Sequence, residues 1–266
     1  MYMSQQRQKK VSVRDLSEQE VVNYFFPRPI PVWTSIAIIT GVVLLIVGGI
    51  LQNIFVMAAG LLVGFISGYI IYKTVRSNPN DAQYDAWVER QGKALYSRGL
   101  QMLGIQLHNR DTVQCIRSYV LPGSLAAQDY IADDVLMKRG KDGRLRFSIN
   151  VYTYIFATTQ WVAVFKSDVN AFTPLIHNDM HEIYAYRHIV GATTSQLRDE
   201  VIFEERRFPY RTEQFCLKIA NGETVRLSAA VKAGPLSSAP GVPAIRLPNT
   251  GFDRTLNELR QILLAR

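Results

Sequence analysis

Two histidines four residues apart, His177 and His181, lie in the run His177-Asn178-Asp179-Met180-His181-Glu182 and are the residues best able to do chemistry. On a helix that spacing puts both imidazoles on one face, where they and a nearby carboxylate could hold a divalent metal. The context points elsewhere. Pro174 precedes the run, an alternating strand-like run follows it, and no glutamate lies between the histidines where a zinc protease carries its base. A polar loop accounts for the same residues.

A second cluster, Arg206-Arg207-Phe208-Pro209-Tyr210-Arg211, is the densest basic spot in the chain. Arg206, Arg207 and Arg211 could meet anionic lipid headgroups or an acidic peptide. Glu204, Glu205 and Glu213 surround them and cancel most of their field, so a solvated turn is the competing expectation. Cys115 and Cys216 are far apart in apolar runs and read as reduced core residues of a cytosolic domain. No phosphate-binding loop, dinucleotide glycine pattern or Gly-x-Ser-x-Gly elbow is present. The sequence therefore asks for no catalytic residue and no cofactor.

These residues must be positioned by a chain with an unusual stretch near its start. Between Arg28 and Lys73, 44 residues pass without a charged side chain. The stretch divides at Gln52-Asn53 into runs 32–51 and 54–72, each close to the roughly 20 apolar residues that cross a hydrocarbon core. A membrane hairpin is expected. Arg28 before it and Lys73 and Arg76 after it place both termini in the cytoplasm by the positive-inside rule. Tyr24, Phe25, Phe26 and Trp33 mark one aromatic edge, and Tyr69 and Tyr72 the other. Gly60, Gly64 and Gly68 share a face of the second span. That face could serve self-association, docking on a larger complex, or contact with the first span through Ala37, Gly41 and Gly48.

The 266 residues carry a net charge of +8, spread along the chain without a basic block, which gives nucleic-acid binding little support. Four segments are expected. Residues 1–31 form a cytoplasmic N-terminal segment in which Ser17-Glu18-Gln19-Glu20 reads as a capping box opening a short amphipathic helix. That helix could lie on the membrane or dock on the protein itself. Residues 32–72 are the hairpin. Residues 73–110 are a helical connector, with a helix over 81–102 bearing Tyr84, Trp87, Val88, Leu95 and Met102 on one face and weakened by Gly92 and Gly99. Residues 111–266 are a β domain of about seven antiparallel strands, a sandwich or partly open barrel. Candidate strands are 113–120, 134–138, 144–158, 161–165, 182–190, 201–203, 215–219 and 224–231, with hairpin turns at Lys141-Asp142-Gly143 and Asn221-Gly222. A Pro/Gly/Ser-rich loop over 234–250 leads to an amphipathic helix over 253–265. The class is α+β.

The order of elements resembles that of bacterial pleckstrin-homology-like (PH-like) domains, often appended to a short transmembrane hairpin. Residues 156–164, 181–189 and 215–227 carry the resemblance, which covers about 130–266 and is one of pattern, not of a catalytic motif. The charged stretch 198–210 and the long loop 234–250 depart from the pattern. The resemblance implies a non-catalytic binding or scaffolding module on the cytoplasmic face of a bacterial inner or plasma membrane. Its partners would be the bilayer and another membrane or cytoplasmic protein. A structural or accessory subunit of a larger complex, or a homo-oligomer through the glycine face, is the alternative. A metal-dependent enzyme using His177 and His181 is the third reading.

Overall fold

The computed structural model describes residues 15–106, 111–175, 178–203, 206–231 and 248–264, and divides into two compact units between Tyr84 and Asp85. His177, the first 14 residues and the loop over 232–247 lie outside the described residues.

In the first unit, helix α1 (Glu18–Phe25) opens with the expected capping box: Ser17 and Glu20 each satisfy the other's backbone amide. Its inner face is docked on protein. Val21 and Tyr24 are buried, and Tyr24 stacks on Tyr84 with ring centroids 4.3 Å apart. The Tyr24 hydroxyl donates to Asp81 (2.8 Å) and the Asn23 amide to the Ser77 carbonyl (3.0 Å). Tyr24 therefore belongs to a packed collar and not to an exposed aromatic belt.

Helices α2 (Val32–Ile50) and α3 (Ile54–Ser77) form the hairpin, both long and apolar enough to cross a membrane. Asn53 caps α3 by accepting from the amides of Phe55 and Val56, which explains the sharp reversal at Gln52-Asn53. Buried residues fall at heptad spacing, Thr34, Gly41 and Gly48 on α2 and Gly60 and Ser67 on α3. That spacing is the seam of a pair of antiparallel helices packed closely at small residues. A Cβ on Gly41 would lie 3.0 Å from the Gly60 carbonyl oxygen, and one on Gly60 only 2.7 Å from that of Gly41. A Cβ on Gly48 would lie 2.7 Å from Met57. The Gly64 backbone also faces Gly41, its amide nitrogen 3.2 Å from where a Cβ there would stand, although a Cβ on Gly64 itself, like one on Gly68, would meet nothing within 4 Å.

Helix α4 (Asp81–Leu103) begins with a reciprocal cap in which Asn80 and Gln83 bond each other's amides at 2.9 Å. In the second unit its part from Asp85 onward is a layer of the β domain. Its buried stripe includes Val88, Gly92, Leu95, Gly99 and Leu103, while Met102, expected on this stripe, is 40% exposed. Gly92 and Gly99 are the points of closest approach to the sheet. A Cβ on Gly92 would lie 2.4 Å from the Tyr152 ring, and one on Gly99 2.6 Å from Phe165.

Among the described residues nine strands make three antiparallel sheets. Strands β1 (Thr112–Tyr119), β4 (Ile149–Ala157), β5 (Trp161–Asn170) and β6 (Met180–Ala185) pair in the order β1-β4-β5-β6. Strands β2 (Met137–Arg139) and β3 (Leu145–Phe147) form a ribbon. Strands β7 (Ile189–Phe203), β8 (Arg206–Ile219) and β9 (Thr224–Val231) form a meander, followed by α5 (Phe252–Leu264). Among the described residues the sheets do not close into a barrel. Three boundaries differ from expectation. The strand over 144–158 is broken at buried Ser148, whose hydroxyl accepts from the Leu136 amide (2.8 Å) and donates to the Asp134 carbonyl. The run 182–190 ends at Ala185, turns through Tyr186–His188 and restarts as β7. The charged stretch expected to be a turn at 206–211 is the first half of β8, paired with 198–203 of β7.

Every residue of β4 is buried because both of its faces are covered. Ile155, with Ile116, Val162 and Val164, packs against Phe215, Leu217, Val225 and Leu227 of the second sheet and Phe252, Leu256 and Leu259 of α5. The opposite face presents Tyr152, Tyr154 and Phe156 to α4. The Tyr152 hydroxyl donates to the Val88 carbonyl (3.0 Å), the Tyr154 hydroxyl donates to that of Gly92 (2.6 Å), and Tyr96 stacks near Phe156. Burial against the helix pushes the Tyr152 hydroxyl up to about 12. A second cluster joins Tyr119 and Phe147, stacked at 4.0 Å, to Val201 and Tyr210 of the long β7–β8 ribbon.

Candidate functional site

The first sheet hands over to the second at the corner between β6 and β7, and a groove lies there. Thr158 shapes its near wall: its hydroxyl accepts from the amides of Gln160 (3.3 Å) and Trp161 (3.1 Å), closing the β4–β5 turn. The Tyr186 amide donates to the Gln160 carbonyl (3.2 Å), and the Ala220 amide to that of His188 (2.8 Å), so the corner is pinned to both sheets. The far wall is α5. Before it, the Arg117 amide of β1 donates to the Thr250 carbonyl (2.9 Å), and Gly251 takes φ +72°, a left-handed turn that suits glycine. Gln114 of β1 donates to Glu258, fixing the helix axially.

The resulting groove has a volume of about 830 Å³ and runs beside the start of β7, from Ile189 to Thr194, over the ring of Phe215. Two cations line it, Arg187 and Arg260, and Arg260 donates from Nη2 to the Thr194 hydroxyl at 2.7 Å. A shallower depression of about 510 Å³ continues along the strand and shares Thr194 and Arg260 with the groove. Two carboxylates line this part, Glu213 and Asp253, and Gln196 donates to Glu213 at 2.9 Å.

Strand β7 itself is the principal feature. Among the described residues it is an edge strand, paired with β8 alone. Residues 189–197 carry no charge and no proline, and residues 192–198 are exposed. Edges of this length are ordinarily guarded by lysine, proline or a strong twist, because unpaired amides and carbonyls recruit another strand. A bulge between Ile189 and Gly191 interrupts its pairing, and charges begin on the strand at Arg198. No family model matches the chain, and no curated protein or solved structure matches it significantly.

The residues expected to do chemistry are placed differently. His181 is exposed on β6 opposite Phe165, a strand position and not a helical one. The neighbouring Asp179 accepts from Arg98 Nε (2.7 Å) and from the Ser167 hydroxyl (2.6 Å). Among the described residues no group of three or more His, Cys, Asp or Glu is arranged to hold a metal. Arg211 is exposed on β8 opposite Arg198, and Arg206 and Arg207 precede it on the same strand, their side chains outside the described residues. Trp33, Tyr69 and Tyr72 stand exposed near the ends of the hairpin helices, as does Lys73, while the Arg28 backbone bonds twice to the Asn78 side chain. Burial pushes the Cys115 thiol up, away from the thiolate form that reacts.

One charged cluster serves the architecture. Arg146, 5% exposed, is gripped by two carboxylates at once: Asp85 of α4 (2.8 and 2.9 Å) and Asp142 of the β2–β3 turn (2.9 and 3.0 Å). The guanidinium holds the Asp142 carboxyl well below the usual carboxylate range. Nothing in the spacing of Asp85, Asp142 and Arg146 signals this clamp. The groove was equally hidden, although Tyr186-Arg187-His188 does interrupt the alternation of its flanks and so hints at a corner.

Proposed function

We propose that this chain is a membrane-anchored, non-catalytic binding module, with a PH-like domain held at the cytoplasmic face by the α2–α3 hairpin. The order of four antiparallel strands, three more and a closing helix supports the PH-like reading; the β2–β3 ribbon is an insertion into that order. The charge-free run and the two long apolar helices support the anchor, and the flanking Arg28, Lys73 and Arg76 support cytoplasmic termini.

The observation that carries the binding role is the unguarded edge of β7 beside a groove closed by α5. An extended segment of a partner protein adds there as a further strand, with main-chain hydrogen bonds supplying affinity and the groove selecting side chains. The test uses the full-length protein in nanodiscs, titrated with fluorescent alternating Thr-Val decapeptides. Binding should slow amide exchange across residues 189–197, and Ser195→Lys should abolish it by guarding the edge. Peptide binding that leaves those amides exchanging at the free rate would refute the assignment.

Gly68, exposed on α3 with nothing within 4 Å of an added Cβ, favours a second reading, an accessory subunit whose hairpin docks on another membrane helix.

A further inference from the structure

Resting on the strand-addition reading, we infer that the β7 groove selects an extended segment with a fixed order of charge: a carboxylate toward its C-terminal end and a cation toward its N-terminal end. Among the described residues the groove beside Ile189 and Thr194 is lined by Arg187 and Arg260 and by no carboxylate. Arg260 commits one N–H to Thr194, and the guanidinium has five, so its remaining donors stay available to a ligand oxygen. Farther along the strand, the depression past Thr194 and Gln196 offers Glu213 and Asp253. The two hollows share Thr194 and Arg260 and so follow one another along β7.

A segment adding antiparallel to β7 meets Gln196 first and Ile189 last. Its N-terminal part lies against the carboxylates and its C-terminal part against the arginines. The two hollows together border β7 from Ile189 to Gln196, so the two charges sit within about seven strand steps of about 3.4 Å each. A uniformly acidic segment would be repelled by Glu213 and Asp253, and a uniformly basic one by Arg187 and Arg260. The same reasoning disfavours a phosphate-rich headgroup, which would face two carboxylates across Arg260. Reading charge order lets the site fix the direction of a partner strand, which backbone pairing alone specifies weakly.

The probe is a pair of Thr-Val decapeptides of identical composition, one with Lys near the N-terminus and Asp near the C-terminus, the other with the two exchanged. Each is titrated by fluorescence anisotropy into the full-length protein in nanodiscs. The Lys-first peptide should bind about tenfold or more tightly than the Asp-first one, a difference worth about 1.4 kcal/mol. Arg187→Gln, which leaves the Arg260–Thr194 bond intact, should remove most of that preference, and Arg260→Gln should do the same with an unchanged melting temperature. Equal affinity for the two orders overturns the charge-order inference and leaves strand addition standing, as does a preference indifferent to both arginine variants. Tighter binding of the Asp-first peptide overturns the antiparallel direction. Failure of both charged peptides and of the uncharged one brings down the strand-addition reading itself.

Discussion

Replacing Gly92 by alanine isolates how tightly α4 lies on the sheet. On an unconstrained helix the change stabilises, because alanine exceeds glycine in helix propensity by about 1 kcal/mol. Here the new methyl would stand 2.4 Å from two ring carbons of Tyr152 and 2.8 Å from its hydroxyl oxygen. The ring cannot move freely: it is 6% exposed, and its hydroxyl is committed to the Val88 carbonyl. Overpacking of that kind costs about 1–3 kcal/mol, so Gly92→Ala should be destabilising by up to about 2 kcal/mol. For a unit of this size the melting temperature falls by about 2–4 °C per kcal/mol. Thermal unfolding in nanodiscs, followed through buried Trp87, reads the shift. The decisive comparison uses Tyr152→Leu as background. With the ring gone, Gly92→Ala should become neutral or raise the melting temperature. An increase in the wild-type background, or the same shift in both, would refute the close contact.

The hairpin seam makes its own prediction. Gly60→Leu should lower the melting temperature of the full-length protein in detergent, since even a Cβ there meets the Gly41 carbonyl, whereas Gly68→Leu should leave it unchanged. Equal losses from the two would contradict the seam. The Arg146 clamp predicts an acid limb. Asp142 is depressed in the folded state, so its contribution is complete above its unfolded value of about 3.9 and is lost as pH falls below that toward the folded value. Asp142→Asn should flatten stability across that window in denaturant titrations, and an unaltered acid limb would remove the clamp from consideration.

Local signals were legible where one segment satisfied itself. The Ser17–Glu20 box, the reversal at Gln52-Asn53 and the stripe of α5 each need only neighbouring residues, and each stands where the sequence puts it. Cross-strand signals were not. Residues 201–203 read as a short strand and 206–211 as a charged turn because Arg198, Arg206, Arg207 and Arg211 mask the alternation; the pairing of 198–203 with 206–211 overrides that composition. Gly92 and Gly99 read as weaknesses of α4 because their reason lies some sixty residues away, in the rings of Tyr152 and Phe165. Of the groove, only the interruption at residues 186–188 was visible, since the strand that forms its floor was not read as one strand.

The burial of β4 on both faces bears on how the chain is made. A strand with Tyr152, Tyr154 and Phe156 on its outer side would be a sticky surface in any nascent chain that lacked a cover. Synthesis runs from the N-terminus at about 5–20 residues per second, so α4 leaves the ribosome seconds before β4 does. The lid is manufactured before the surface it must protect. Moving α4 to the far end of the chain would preserve every contact yet expose those rings for the whole time needed to translate the rest of the domain.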